Sequence, residues 1–224
     1  MKTVGVLGGM GPEATVLLMQ KVMAAVPAED DADHIPLIVH QNPQVPSRIK
    51  RLIEGKGDDP GPVLAAMARG LEAAGAKALA MPCNTAHAYA DMVRSATPLP
   101  FLDMRDATVA MLRATSSGPR IGLLASPAVR LTGAFDAAFA AGGLIPVWPS
   151  DDAPVLALIR QIKAGQVGSA QRAALWAIAT QLAADCDHLL IACTELSLLA
   201  TAIDQPVTDS LDCLVQAIVT FAKT

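Results

Sequence analysis

The same strand–cysteine pattern occurs twice in this 224-residue chain, about half of the chain length apart. In each copy, an apolar run typical of a β-strand ends just before a cysteine: ALAM before Cys83 and LLIA before Cys193. Two other apolar runs, VGVL at 4–7 and IGLL at 121–124, resemble each other and open the two halves. The repetition predicts two related lobes of similar fold.

Short apolar runs alternate with helical stretches along the whole chain. We predict strands at 4–7, 37–40, 78–81, 101–102, 121–124, 145–148, 189–192 and 207, and helices at 13–25, 63–74, 86–94, 107–114, 132–141, 155–164, 170–184 and 211–222. Strands separated by helices of ten to fifteen residues are typical of βαβ units and parallel sheets. The predicted fold class is therefore α/β, with one parallel sheet in each lobe.

Both cysteines of the repeat lie past the carboxyl end of a predicted strand, which is the edge where open α/β sheets bind ligands. A free thiol is only a few per cent ionised near neutral pH, but a helix N-terminus or a nearby cation lowers its pKa. If the lobes face each other across a ligand, Cys83 and Cys193 lie on opposite sides of one carbon atom. One thiolate then removes a proton while the other thiol donates one, which is racemisation or epimerisation.

The chain has four cysteines, and burial as a small apolar residue is the usual role of a free cysteine. Cys186 precedes its strand and Cys213 lies among apolar positions of the final helix, so we interpret both as structural. A chain of this length without an export signal favours reduced thiols and a cytoplasmic location.

Composition excludes two classes of partner. Aromatic residues make up 3% of the chain, and 17 Lys and Arg against 21 Asp and Glu form no basic block, so we expect no nucleic-acid partner. No uninterrupted apolar stretch reaches the roughly 18 residues that a membrane-spanning helix needs, so we expect no membrane partner.

A glycine-rich turn, GGMGPEA at 8–14, follows the first predicted strand. It matches the loose GxGxxA form of a dinucleotide-binding loop. However, the next predicted strand ends at His40 without the acidic residue that binds a ribose hydroxyl, and the chain has no Walker-type lysine motif. We therefore expect the amides of this turn to bind a carboxylate, because a helix N-terminus accepts any small anion.

Four segments in the right order resemble motifs of the aspartate/glutamate racemase superfamily. The two most specific are PCNTAH at 82–87 and ACTEL at 192–196; NPQVPSR at 42–48 and IKAG at 162–165 match as well. The similarity covers essentially the whole chain and is strongest to the cofactor-independent aspartate and broad-specificity amino-acid racemases.

This resemblance implies two similar α/β lobes related by pseudo-two-fold symmetry, with the active site in the cleft between them. The last helix would return to the first lobe, so we divide the chain into residues 1–104 with 208–224, and 105–207. The resemblance further implies a homodimer that acts on a small amino acid. It implies Cys83 and Cys193 as the two acid/base residues, with no pyridoxal phosphate, other cofactor or metal.

The resemblance also implies a set of substrate-binding residues. Met10, Asn84, Thr85 and Thr194 would place donors on the α-carboxylate, where they stabilise an enolate-like transition state. Arg48 and Lys163 would hold a second carboxylate, for which a guanidinium suits a bidentate grip. Glu195 would either polarise the surroundings of Cys193 or support the following helical turn.

Some positions depart from the family pattern. Asp103 stands where many relatives have a histidine, and an added carboxylate there would repel a dicarboxylic substrate or pair with Arg48 or Lys163. His87 would be either a proton relay one helical turn from Cys83 or a surface histidine on a helix. Aspartate, glutamate and other amino acids all remain possible substrates.

The sequence therefore predicts an amino-acid racemase with a two-cysteine acid/base mechanism. Two alternatives stay open. One is an organic-acid isomerase or decarboxylase of the same superfamily, in which malonate decarboxylases keep one cysteine of the pair and maleate isomerases keep both. The other is a catalytically inactive protein that binds amino acids.

Overall fold

The computed structural model describes all 224 residues and contains two four-stranded sheets. The strands are β1 (Val4–Gly8), β2 (Leu37–Gln41), β3 (Ala78–Ala80), β4 (Phe101–Leu102), β5 (Arg120–Ala125), β6 (Ile145–Val147), β7 (His188–Ala192) and β8 (Val207–Asp209). The first sheet has the order β2-β1-β3-β4 and the second β6-β5-β7-β8, with every pairing parallel. The predicted α/β class with two similar parallel-sheet lobes is therefore confirmed.

Ten α-helices connect and cover these strands. They are α1 (Pro12–Ala24), α2 (Arg48–Leu52), α3 (Gly61–Ala73), α4 (Ala90–Ala96), α5 (Met104–Thr115), α6 (Pro127–Leu131), α7 (Asp136–Gly142), α8 (Ala153–Lys163), α9 (Ser169–Ala183) and α10 (Ser210–Lys223). Short 3₁₀ segments occur at Asp31–Asp33, Thr85–Tyr89 and Leu196–Ala202. The last two directly follow the cysteines of the repeat.

Two predicted helices differ from the structure. The helix predicted at 132–141 begins later than expected, because the chain turns at Gly133, whose φ of +59° favours glycine, and α7 begins only at Asp136. The helix predicted at 86–94 begins as the 3₁₀ segment Thr85–Tyr89 and becomes α-helical only in α4. The short helices α2 and α6 were not predicted. Each begins after a serine, Ser47 or Ser126, whose side chain accepts a hydrogen bond from a backbone amide of the first turn.

The last helix, α10, packs on the first sheet. Its apolar face, including Leu214 and Ile218, shares a core with Val4 and Val6 of β1 and with Leu18 of α1. Burying each such aliphatic side chain stabilises the fold by about 1.5–3 kcal/mol. This packing puts α10 on the first sheet, whereas Thr208 and Asp209 pair with β7 in the second sheet. The division of the chain at residues 104 and 208 stays a prediction.

None of the ten helices combines the length and the apolar character that a bilayer-spanning segment requires.

The start of α10 contains a buried carboxyl group that makes stability depend on pH. Asp209 Oδ1 accepts hydrogen bonds from the Ser197 hydroxyl at 2.8 Å and the Leu211 amide at 2.9 Å, whereas Oδ2 is buried without a partner. Burial, with a smaller contribution from Asp212, raises the pKa of Asp209 to about 6. Folded Asp209 therefore holds a proton that the unfolded chain releases near pH 4, and stability falls as the pH rises from about 4 to 6.

We expect Asp209→Asn to remove this fall, because an amide keeps the Oδ1 acceptor and carries no charge. At pH 7.5 the variant should be more stable than the parent by about 2 kcal/mol, and below about pH 4 the difference should vanish. Urea unfolding at both pH values measures the change. Asp212→Asn, one turn along α10 and exposed, serves as the matched variant, and an equal gain there would contradict the explanation.

Candidate active site

The carboxyl ends of β1, β3, β5 and β7 surround one cavity of about 280 Å³ that residues of both halves line. Its lining residues are Gly9, Met10, Gly11, Pro12, Glu13, Pro43, Val45, Ser47, Arg48, Ile49, Cys83, Thr85, Ser126, Ile159, Lys163, Cys193 and Glu195. Parallel strands bring their carboxyl ends to the same edge, so loops far apart in the chain meet there. The two cysteines of the sequence repeat thus share one cavity.

Each cysteine is held in a short turn directly after a central strand. Cys83 donates its amide to Met81 at 2.8 Å, and its carbonyl accepts from the amide of Ala86 at 3.1 Å. The carbonyl of Cys193 likewise accepts from the amide of Leu196 at 2.9 Å. Cys83 and Cys193 are 6% and 5% exposed, so each thiol reaches the cavity from a largely buried position.

Glu195 connects Cys193 to the only lysine that lines the cavity. The thiol of Cys193 donates to Glu195 Oε2 at 3.1 Å, and Glu195 Oε1 pairs with the Lys163 ammonium group. The Glu195 side chain is 9% exposed and that of Lys163 is 33% exposed. Of the two roles predicted for Glu195, this geometry favours the one that polarises the surroundings of Cys193.

The cluster also sets the protonation of its members. Burial and the adjacent Glu195 carboxylate raise the pKa of Cys193 well above its ordinary value, so the thiol carries its proton. Burial lowers the pKa of Lys163, but the charge and the hydrogen bond of the Glu195 carboxylate outweigh that and raise it. Lys163 is therefore a permanent cation beside both cysteines.

Arg48 lies at the start of α2 and enters the cavity from the first lobe. Its Nη1 donates to the carbonyls of Val45 at 3.2 Å and Pro46 at 2.9 Å, which anchors one side of the guanidinium group. Nε is buried without a partner. Unlike Lys163, Arg48 forms no ion pair.

The glycine-rich turn forms a third wall. Gly9 has φ of +91°, and a Cβ there would lie 2.4 Å from the backbone of Asn42, so the close approach of the two loops requires glycine. The Gly9 amide donates to the Thr15 hydroxyl at 2.9 Å, which ties the turn to α1. A Cβ on Gly11 would lie 3.5 Å from both Glu13 and Glu195, so this glycine borders the charged part of the cavity.

Seven of the nine residues predicted for the site line the cavity, namely Met10, Arg48, Cys83, Thr85, Lys163, Cys193 and Glu195. The other two, Asn84 and Thr194, are buried and are not among the lining residues. The Asn84 amide donates to the Ser210 hydroxyl at 2.9 Å, and the Thr194 hydroxyl donates to the Pro82 carbonyl at 3.1 Å. Their side chains therefore connect the cysteine turns to neighbouring elements, and their contact with substrate stays a prediction.

Both interpretations of His87 were wrong. The residue is 1% exposed, so it is not a surface histidine, and its Nδ1 lies 2.9 Å from the carbonyl oxygen of Cys83 rather than against the thiol. The expected pairing of Asp103 with Arg48 or Lys163 is wrong as well. Asp103 is buried away from the cavity and pairs with Arg94 and Arg105 at 2.5 and 2.6 Å. Asp103 therefore presents no obstacle to a dicarboxylic ligand.

Glu13 and Ser126 line the cavity although the sequence did not assign them to substrate binding. Glu13 lies within the glycine-rich segment, one residue after the proline that opens α1, so its position beside an anion-binding turn was the available signal. Ser126 follows β5 just as the cysteines follow β3 and β7. The strand-edge rule that selected the cysteines thus applies to Ser126 too.

The other two cysteines lie elsewhere. Cys186 precedes β7, where its sulfur lies 2.7 Å from the position that a Cβ on Gly122 would occupy. Cys213 is buried in α10, and burial raises its pKa to about 11. Neither lines the cavity, and all four thiols are free.

Comparison with known families decides what kind of protein carries this site. The sequence profile described as Asp/Glu/hydantoin racemase matches residues 7–218, which is nearly the whole chain. The chain belongs to this family. The resemblance inferred from the four motifs is thereby confirmed. No group of three or more His, Cys, Asp or Glu side chains is arranged to hold a metal ion.

Two kinds of relative are similar to this chain. The broad specificity amino-acid racemase RacX of Bacillus subtilis is 30% identical over 110 residues, which is 47% of either chain. The match thus spans about half the length of this curated relative. An aspartate racemase of Picrophilus torridus is 28% identical and superposes with a TM-score of 0.91, covering 100% of this chain and 95% of that one. A glutamate racemase of Bacillus anthracis, RacE1, shares the fold at 17% identity and a TM-score of 0.71, covering 99% and 82% of the two chains.

Proposed function

We propose that this protein is a cofactor-independent amino-acid racemase of the aspartate/glutamate type, with Cys83 and Cys193 as its acid and base. The observation that carries the proposal is the meeting of both repeat cysteines in one cavity at the carboxyl edges of two sheets. Family membership and the names of the relatives support the same reaction class.

In the proposed reaction, one cysteine thiolate removes the α-proton from one face of the substrate. The electron pair left on the α-carbon is delocalised into the α-carboxylate as an enolate-like intermediate. The opposite thiol then donates its proton to the other face, so the configuration inverts and the two cysteines exchange protonation states. Acid/base catalysis of this kind contributes about 10²- to 10⁴-fold to a rate.

The structure corresponds to the form in which Cys193 carries the proton, because its thiol donates to Glu195. Cys83 has no carboxylate partner and shares the field of the Lys163 cation. We therefore assign Cys83 as the base and Cys193 as the acid in this form of the enzyme. This form of the enzyme acts on the substrate enantiomer whose α-hydrogen faces Cys83.

The substrate carboxylates would bind to opposite parts of the cavity. The amides at the start of α1, near Met10 and Gly11, and the turn at Thr85 suit the α-carboxylate, because a helix N-terminus attracts negative charge. Preorganised donors there also stabilise the charge that develops as the proton leaves. Arg48 would bind a side-chain carboxylate, since its guanidinium group has unpartnered donors and no ion pair.

The proposal is tested by incubating the pure protein in D₂O with each enantiomer of aspartate, glutamate and other amino acids. Proton NMR follows the loss of the α-proton, and chiral chromatography follows inversion. We expect both enantiomers of at least one acidic amino acid to exchange and to converge on a racemic mixture. Thermal stabilisation by an amino acid without any exchange would identify a binding protein and overturn the proposal. Decarboxylation or cis–trans isomerisation of a dicarboxylic acid would identify an organic-acid enzyme instead.

We also propose that the enzyme is a cytoplasmic homodimer. Four free thiols suit a reducing compartment. Val16, Met19 and Met23 are exposed at helical spacing on α1, which gives a second copy an apolar face to cover. Sedimentation analysis of the pure protein measures the oligomeric state directly.

The Glu195 carboxylate should set the alkaline limit of activity. Its negative charge raises the pKa of Cys193, so replacing it by the neutral amide of Glu195→Gln should lower that pKa. In the proposed form Cys193 must be protonated to act as the acid. We therefore expect the alkaline limb of the kcat/KM profile to move to lower pH by roughly one unit, the size expected for one adjacent charge.

Glu13→Gln is the matched variant, because Glu13 lines the same cavity but makes no ion pair with Lys163. It should leave the alkaline limb in place. If both variants moved the limb equally, the general charge of the cavity rather than the Cys193–Glu195 contact would set it.

A further inference from the structure

His87 makes two hydrogen bonds from a fully buried ring. Its Nδ1 lies 2.9 Å from the carbonyl oxygen of Cys83, and its Nε2 accepts from the backbone amide of Met104 at 3.3 Å. The side chain is 0% exposed, and its ring lies against Phe101 of β4 with centroids 5.4 Å apart. The ring therefore joins the turn after β3 to the helix that follows β4.

The two partners determine which nitrogen carries the proton. An amide N–H only donates, so Nε2 must be the unprotonated acceptor for Met104. A carbonyl oxygen only accepts, so Nδ1 must be protonated and donate its hydrogen bond to the carbonyl oxygen of Cys83. A doubly protonated ring would leave the buried Met104 amide facing a second donor. Burial, only partly offset by Asp103, lowers the pKa of His87 to about 4, in agreement with a neutral ring.

From these contacts we propose that His87 is a positioning residue for Cys83, held as the neutral Nδ1–H tautomer. The inference rests on the proposed two-cysteine function. His87 fixes the main chain of Cys83 and does not touch the thiol, so it acts through the placement of the sulfur. Displacing a reacting group by about 1 Å can lower a rate about 10²-fold, and both thiols must remain aligned on opposite faces of one carbon.

The charged groups that act on the ring are Asp103, Arg105 and Arg94. Asp103 caps α5 by accepting from the Arg105 amide at 2.9 Å, and its Oδ1 lies 3.8 Å from His87 Nε2. Arg94 and Arg105 both pair with the Asp103 carboxylate, and Arg105 Nη1 donates to the Ala134 carbonyl in the second half of the chain at 3.3 Å. The two arginines oppose the pull of Asp103 on a second proton, and burial keeps the ring neutral. The arrangement also links the turn of Cys83 to the second lobe.

Two variants separate the two hydrogen bonds. The side-chain amide of His87→Asn can reach the Nδ1 position and donate to Cys83, but it is too short to accept from Met104. The amide of His87→Gln can reach the Nε2 position, where its oxygen accepts from Met104, but leaves the Cys83 carbonyl without the bond. If His87 positions Cys83, His87→Asn should retain most of the activity and His87→Gln should lower kcat at least about 10-fold, with little change in KM.

Isotope effects distinguish loss of Cys83 placement from a general loss of structure. In His87→Gln, the Cys83 step should become limiting. The kinetic isotope effect measured with α-deuterated substrate should then rise for the enantiomer that Cys83 deprotonates and fall for its mirror image. Equal effects in both directions, or equal losses in the two variants, would overturn the proposal. Thermal unfolding of both variants checks that they fold.

A further measurement on the parent protein does not depend on turnover. Nitrogen-15 NMR of the labelled imidazole should show a protonated Nδ1 and an unprotonated Nε2 from pH 6 to 9. The opposite tautomer, or a ring that titrates in this range, would overturn the inference even if the protein racemises amino acids.

If no amino acid is racemised but the Nδ1–H tautomer is found, the two-cysteine function fails while the structural assignment of His87 stands. The rate at which iodoacetamide alkylates Cys83 then tests the positioning role, with the rate at Cys193 as internal reference. A change in His87→Gln alone supports the role, and unchanged or equally changed rates overturn it.

Discussion

Cys83→Ser and Cys193→Ser should each lower the rate of inversion by at least about 10³-fold, which is within the range that acid/base catalysis contributes. A thiol has an ordinary pKa near 8.5, whereas a serine hydroxyl stays protonated throughout the accessible range and is a poor base. Each variant should nevertheless retain slow α-proton exchange of one enantiomer, because the remaining cysteine can remove and return a proton on its own face. The enantiomer that still exchanges its α-proton should differ between the two variants. Proton NMR in D₂O measures this directly.

Cys186→Ser and Cys213→Ser provide the comparison, because neither sulfur lines the cavity. Both should leave turnover largely intact, although burial of Cys213 predicts some loss of stability in its variant. If Cys83→Ser or Cys193→Ser exchanged the α-proton of both enantiomers at the parent rate, the two-base mechanism would be wrong. If Cys186→Ser were folded and as inactive as Cys193→Ser, the division of the thiols into two pairs would be wrong.

The sheets could be predicted because buried parallel strands form continuous apolar runs. The segments VGVLG of β1 and RIGLLA of β5 each contain such a run, bounded by turn residues or charges. The short helices were harder to predict. Helices of five residues, such as α2 and α6, have too little periodicity to detect, and a serine cap defines each of them. The turn at Gly133 was missed because the alanine-rich segment AFDAAFAA follows it directly at 134–141.

The cysteine pair could be predicted because the strand-edge rule depends only on local order along the chain. The partners of those cysteines could not. Lys163 and Glu195 come from different elements, and nothing local to either residue indicates that they pair. His87 was judged on α-helical spacing, but the turn after Cys83 is 3₁₀ and the second partner of the ring, Met104, follows β4. Such contacts depend on how neighbouring strands are aligned, which the sequence of one segment does not specify.

The division of charge in the cavity assigns different roles to its two cations. Lys163 is already paired with Glu195, so the pair as a whole adds little net attraction for an anion. Arg48 is anchored by main-chain carbonyls and lacks an acidic partner, so its charge is available to a ligand. A carboxylate bound there gains charge-assisted hydrogen bonds in a partly buried setting. Selectivity for an acidic amino acid would therefore depend on Arg48 more than on Lys163.

Arg48→Met should accordingly lower kcat/KM for aspartate or glutamate by at least about 100-fold, mostly through KM. Truncating one partner of a buried, hydrogen-bonded charge pair costs about 2–5 kcal/mol. For a neutral amino acid such as alanine, which has no second carboxylate, kcat/KM should fall less than about threefold. The variant removes only the binding of a side-chain carboxylate, which acts on ground state and transition state alike. Steady-state assays with both substrates give the ratio that measures the effect.

Two further variants make the test of Arg48 specific. Arg48→Lys keeps the charge but loses the planar group that donates to Val45 and Pro46, so its activity on the acidic substrate should fall between those of the parent and Arg48→Met. Lys50→Met removes an exposed cation from the same helix and should change kcat/KM for neither substrate. If Arg48→Met reduced alanine and aspartate turnover equally, Arg48 would instead hold the α-carboxylate common to both. A side-chain carboxylate would then meet no free cation, because the other cation of the cavity is already paired with Glu195.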